Sequence, residues 1–360
     1  MRRKILLTIC TLLAIPMMAV SAQESVWQTI AVPEGVCARG TPYSFFHREG
    51  SSEDLLIFFE GGGACWDGAT CQFGADYTSG GPLFKDTVYF PGDEEARGIF
   101  SLEHEANPFA EYDIVYVPYC SADVHTGSAQ RVYQVPENSL SRRAYPVRIH
   151  HQGAVNAAAV LAWTYEHYAE PSSVALLGCS AGSYGAIYHA HDIMSQYPDV
   201  RVTHLSDAGV GHVPPGWQAF ENWAFLDRLP AAIREAGPLT YETFSLNDLY
   251  SHTAAAFPHQ TFAQYTTAAD EVQIRFYAIQ GGDPNDWPPG MQARLTELIT
   301  TVPNFNGYIA GGSEHCILPE PEFYTTEVAG VNFRDWLAAR LAGEATGNVI
   351  CDLAGGECFP

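Results

Sequence analysis

The chain has 360 residues, with 18 Lys and Arg against 41 Asp and Glu and a formal net charge of -23. A surface this acidic repels phosphate backbones and anionic headgroups, so nucleic acid and anionic lipid are excluded as expected partners. The length suits one large α/β domain, and no internal repeat, low-complexity linker or charge block divides it.

Arg2, Arg3 and Lys4 precede an apolar run from Ile5 to Val20, and Val20-Ser21-Ala22 ends in small residues. This pattern predicts a secretory leader over 1–22, a single catalytic domain over 23–360, and a released extracellular or periplasmic protein. No later apolar run is long enough to cross a bilayer. Eight cysteines follow the leader, an even number that predicts disulfides in an exported chain. Cys65–Cys71 is the first expected pair, because its short loop closes through Gly68; Cys351–Cys358 is the second. Spacing leaves the other pairings open, and without a paired C-x-x-C arrangement structural zinc is not expected.

Trp27 to Ala31 and Tyr43 to His47 are expected as short edge strands around a turn at Gly40. Leu55 to Phe59 is a continuous apolar run of buried-strand type that delivers the chain into three successive glycines, Gly61 to Gly63. Unobstructed amides in such a turn suit one half of an oxyanion hole. Asp113 to Pro118 predicts another buried strand, and His150 to His167 has helical apolar spacing. Val174 to Leu177 predicts the strand before the Gly178-Cys179-Ser180-Ala181-Gly182 turn, and Ala181 to Met194 the helix after it. Strands follow over Val200 to Leu205, Thr261 to Thr267 and Phe305 to Ala310. Helices are expected over Asp270 to Gln280, Gly290 to Thr301 and Phe333 to Leu341. The alternation indicates a mostly parallel sheet covered on both faces, with its site at the carboxyl ends of the strands.

The G-x-S-x-G turn between strand and helix has the form of a nucleophile elbow. It lifts the Ser180 hydroxyl above the sheet and puts the Ala181 amide at a helix N-terminus, where it can stabilise an oxyanion. His315 lies beyond the last clear strand on a Gly-rich loop, the position expected of the base. His189 and His191 share a helix but stand two residues apart, so they diverge and make no metal pair. Three carboxylates compete for the acid: Asp207, Asp270 and Asp283. Asp270 follows a strand and heads a helix, where a plain N-cap role is the alternative.

Glu60-Gly-Gly-Gly-Ala-Cys65-Trp66, Tyr119-Cys120, Gly178-Cys-Ser-Ala-Gly182, Ser206-Asp-Ala-Gly209, Asp270-Glu-Val-Gln273 and His315-Cys316 occur in one order. Together they resemble the pectin acetylesterase family, which includes plant pectin acetylesterases and the animal deacylase Notum. The resemblance implies an α/β-hydrolase-like serine esterase with no metal or other cofactor. It implies Ser180, Asp270 and His315 as the triad, and amides of Gly62, Gly63 and Ala181 as the oxyanion hole. The expected substrate is a short acyl ester, an O-acetyl group on a glycan. Longer acyl chains on lipid or protein are the alternative, and a silent carbohydrate-binding scaffold is a third reading. Gly63-Ala64 replaces the bulky aromatic usual in relatives, and Ser183 a second glycine, so acyl specificity is the feature these residues leave open.

Overall fold

The computed structural model describes residues 27–74, 83–89, 97–138, 142–236, 239–352 and 358; the expected leader lies outside them. The chain opens with β1 (Gln28–Val36), β2 (Pro42–Arg48), β3 (Asp54–Phe59) and β4 (Asp113–Val117). An antiparallel ribbon, β5 (Ala129–Val135) with β6 (Tyr145–His151), leads into α1 (Gly153–His167). Next come β7 (Ser173–Cys179), α2 (Ala181–Gln196) and β8 (Arg201–Asp207). Short helices α3 (Ala219–Asn222) and α4 (Ala231–Ala236) precede α5 (Leu246–Ala256), β9 (Thr261–Thr267) and α6 (Glu271–Ile279). The chain continues through α7 (Trp287–Thr301), β10 (Phe305–Ala310), the pair β11 (Glu327–Val328) and β12 (Val331–Asn332), α8 (Phe333–Leu341) and β13 (Val349–Ile350).

Nine strands form one sheet in the order β1-β2-β4-β3-β7-β8-β9-β10-β13. From β4 to β13 every neighbour is parallel; only β1–β2 and β2–β4 are antiparallel. Every residue of β7 is buried, odd and even positions alike, so both sheet faces are covered there and the strand reads as one apolar run. Helix α2 packs across β7 and β8, with α5 against α2 and α7.

Two expectations need correction. The Tyr43–His47 strand is not an edge: β2 is paired on both sides, with β1 and β4, and β1 forms that edge of the sheet. Helix does not begin at His150. Over Tyr145–His151, Val147, Ile149 and His151 are buried while Pro146 and Arg148 are exposed, a period-two pattern that makes a strand. The helix starts only at Gly153. The segment between β8 and β9, where no element is expected, holds α5 behind a capping box of Ser245 and Asp248.

Eight cysteines form four disulfides: Cys65–Cys71 and Cys351–Cys358 as expected, with Cys37–Cys120 and Cys179–Cys316.

Candidate active site

Strand β7 runs straight into α2 with only Ser180 between them. Ser180 has φ 56° and ψ -122°, a left-handed conformation that costs a non-glycine residue about 1–3 kcal/mol. Its surroundings hold it there. A Cβ on Gly178 would lie 2.1 Å from the Gly182 carbonyl oxygen, and one on Gly182 would lie 1.9 Å from that of Phe59. Both flanking glycines are therefore steric necessities. The Ser180 amide donates to the Asp207 carbonyl at 2.8 Å, pinning the turn to β8.

His315 follows β10 on the loop beginning at Gly311 and reaches Asp270 at the end of β9. Its Nδ1 lies 3.0 and 2.9 Å from the two carboxylate oxygens. Asp270 is fully buried and also accepts from the amides of Val272 and Gln273 at 3.1 and 2.9 Å, and from Gln273 Nε2 at 2.9 Å. The two roles weighed for it coexist: it caps α6 and holds the imidazole. Burial alone lowers the His315 pKa, but the charge and hydrogen bond of Asp270 outweigh it, helped by Asp207, and the net shift is upward. With Nδ1 engaged, Nε2 is the free nitrogen; it is buried and has no hydrogen-bond partner.

The other two carboxylates are engaged by backbone amides elsewhere. Asp283 is exposed and caps a short 3-10 turn through the Asn285 amide at 3.0 Å. Asp207 is fully buried, and its carboxylate accepts from the amides of Ile317 and Leu318 at 2.8 Å each.

Ser180, His315, Gly63 and Ala181 line one open pocket, about 580 Å³ of empty space with the solvent at its mouth included. Gly62 does not line it; its carbonyl accepts from the Lys85 amide at 2.9 Å, and a Cβ there would sit 2.4 Å from the Tyr119 ring. Behind this strand Glu60 accepts from Tyr119 N at 2.8 Å and pairs with Lys85, while burial raises its pKa. His125 Nε2 lies 2.8 Å from the Glu60 carbonyl, which fixes the entry to the glycine turn. Burial lowers the His125 pKa to about 3, so the ring is neutral and donates through Nε2.

Eight of the nineteen lining residues are aromatic, which gives the cavity a largely apolar wall. Trp66, Trp217 and Trp223 pack edge to face, with centroids 5.2 Å (Trp66–Trp217) and 5.7 Å (Trp217–Trp223) apart. Trp223 Nε1 donates to the Cys65 carbonyl at 2.9 Å, tying the wall to the Cys65–Cys71 loop. Opposite them, His212 stacks on Tyr277 at 4.8 Å. Apart from Trp66, these residues come from the 212–287 region, whose one motif, Asp270-Glu-Val-Gln273, includes none of them; the other local signal there is the Trp and Phe cluster of 217–225.

Among the described residues, two groups bring three metal-ligating side chains together: Cys65, Cys71 and His151, and Cys179, Asp207 and Cys316. In each, both cysteines are joined in a disulfide and offer no thiolate. His189 is buried against the His125 carbonyl at 3.1 Å, whereas His191 faces Ser195, so the two histidines diverge as their spacing predicts.

A family model described as Pectinacetylesterase matches residues 20–212. Human palmitoleoyl-protein carboxylesterase NOTUM is 26% identical over 181 residues, 48% of this chain and 34% of the relative. An inactive palmitoleoyl-protein carboxylesterase, notum1b of Danio rerio, is 35% identical over 100 residues, 27% of this chain and 70% of its own. The structure of the Wnt deacylase Notum from Drosophila superposes with a TM-score of 0.64 at 18% identity, covering 93% of this chain and 98% of that one. The chain thus spans about a third of the human relative's length in sequence, while the fold correspondence runs almost end to end.

Proposed function

The chain belongs to the pectinacetylesterase family and is a carboxylic ester hydrolase with the α/β-hydrolase-like fold, and from that premise we propose that Ser180, His315 and Asp270 hydrolyse an O-acyl ester through an acyl-enzyme. The observation that carries the reading is one cavity lined by both Ser180 and His315, with the imidazole held from behind by a buried carboxylate.

Ser180 Oγ attacks the acyl carbon and His315 Nε2 takes its proton. Asp270 fixes the tautomer and stabilises the imidazolium that forms. Amides of Gly63 and Ala181 hold the oxyanion, with Gly62 as the third proposed donor. His315 then protonates the leaving alcohol, and water repeats the steps on the acyl-enzyme. The zebrafish relative named inactive shows that the family name alone does not guarantee turnover. The His315–Asp270 pair speaks for turnover here.

The cavity supports an apolar acyl group larger than acetyl. Its wall carries eight aromatic side chains, which suit the burial of an apolar chain. The second reading, O-acetyl on a neutral glycan, rests on the family name. Export is part of the proposal, supported by four disulfides, which persist in oxidising compartments. No helix of the described residues is long and apolar enough to cross a membrane.

The test is kcat/KM on p-nitrophenyl esters of graded chain length, for wild type and Ser180→Ala. We expect a maximum well beyond acetate and loss in the variant. A maximum at acetate returns the reading to a deacetylase, and no turnover of any ester by folded protein leaves a silent scaffold.

A further inference from the structure

We propose that Asp207 is a positioning residue that holds the nucleophile's turn and the base's loop in register, a role that rests on the serine-esterase reading above. Its main chain grips one side of the site. The Asp207 carbonyl accepts from the Ser180 amide at 2.8 Å and from the Ser183 hydroxyl, both on the elbow. Its side chain grips the other. Oδ2 accepts from the amides of Ile317 and Leu318, two and three residues after His315. One residue therefore spans both loops, and nothing in the triad chemistry requires it.

Two further observations mark the position as built. A carboxylate oxygen of Asp207 and the sulfurs of Cys179 and Cys316 lie within 4.8 Å of one another, and that disulfide joins the neighbour of Ser180 to the neighbour of His315. Oδ1 is buried with no hydrogen-bond partner, a costly arrangement for a group serving only as a structural acceptor. The charge has a nearby target: Asp207 raises the pKa of His315. Burial raises its own pKa to about 7, against the pull of the Leu318 and Ile317 amides and of His315. The other titratable groups facing it are Asp270, which raises its pKa further, and Tyr265, whose own pKa it raises; the disulfide does not titrate.

Asp207→Asn keeps both amide bonds and places its NH₂ where Oδ1 is unpaired, so it removes the charge and little else. On p-nitrophenyl esters we expect kcat to fall about ten- to a hundredfold, as for a small misplacement of reacting groups. KM should stay within about twofold, and the acid limb of kcat/KM should move to lower pH as the imidazolium loses a neighbouring negative charge. Wild-type kcat with an unmoved acid limb would overturn the proposal. So would a loss on the order of 10⁴ beside an active Asp270→Asn, which would make Asp207 the triad acid. An active Ser180→Ala overturns the esterase reading and this proposal together; an inactive Ser180→Ala beside an unaffected Asp207→Asn overturns this one alone. If Asp207→Asn does not fold, NMR titration of the His315 ring in wild type decides: two inflections are expected, and a single one refutes the coupling.

Discussion

The floor of the cavity and its aromatic wall are built by opposite rules. The floor is made of strand ends and one-residue turns, where a single added carbon at Gly178 or Gly182 would collide with backbone at about 2 Å. The wall is made mainly of large side chains from 212–287 with Trp66 and Tyr184; its three Trp rings touch through their edges, and such packing tolerates exchange of shape. On the proposed reading, chemistry sits where geometry is over-determined, and selectivity sits where only volume has to be kept. Changes to the floor should therefore lower turnover of every ester alike, whereas changes to the wall should reorder the esters.

The largest effect expected is on the floor. Ser180→Ala should lower kcat on the order of 10⁶ for all chain lengths, measured against a burst-calibrated wild type. Asp270→Asn should cost on the order of 10⁴. Asn is as good an N-cap as Asp, so α6 keeps its cap and the melting curve should stay near native. The two roles of Asp270 in one structure make this the sharper of the two variants: a large loss of stability with modest loss of rate would reduce Asp270 to a cap.

Those two residues, with His315, are legible in the sequence because strand-end geometry leaves a local trace: glycines at steric pinch points, an Asp heading a helix, a His closing a Gly-rich loop. The β5–β6 ribbon is not, since the helical spacing of His150 to His167 runs into its last two residues, and only tertiary pairing separates strand from helix there. The wall escapes for a different reason. Trp217, Phe220, Trp223 and Tyr277 look like ordinary core residues, and the cavity they share forms only when β8 and β9 bring their loops together. Asp207 reads as a rival acid, because a strand-end carboxylate has the same sequence signature whether it meets an imidazole or two amides.

Next in size is the covalent bond beneath the floor. Removing Cys179–Cys316, by a dithiol or by the double change Cys179→Ala with Cys316→Ala, should lower kcat about 10²-fold, as a displacement of about 1 Å does. Equal turnover before and after, with the thiols counted, would show that the hydrogen bonds suffice. The wall gives a smaller and selective effect. Phe276→Ala should reduce kcat/KM for the longest ester about tenfold or more while p-nitrophenyl acetate stays within about twofold, since weakening the apolar packing around a bound chain costs about 1–3 kcal/mol. A uniform loss across the series would erase the distinction between floor and wall.

The smallest effect concerns stability. Asp207 has a folded pKa of about 7, above its unfolded value near 3.8, so the native state holds the proton longer. Its contribution is fully present at low pH and is lost as pH rises from about 4 through 7. Wild-type Tm should fall between about pH 5 and pH 8, and in Asp207→Asn that fall should shrink by on the order of 2 °C. An identical slope in both would mean that the carboxylate ionises as freely as in water.

The Cys179–Cys316 bond joins residues 137 apart, one beside the nucleophile and one beside the base. If that bond holds the two proposed catalytic segments in place, competence depends on oxidation. A newly made chain in a reducing compartment carries Ser180 and His315 on two segments joined by the backbone alone. On the proposed reading, full activity arrives where thiols are oxidised, and acyl esters inside the producing cell are spared.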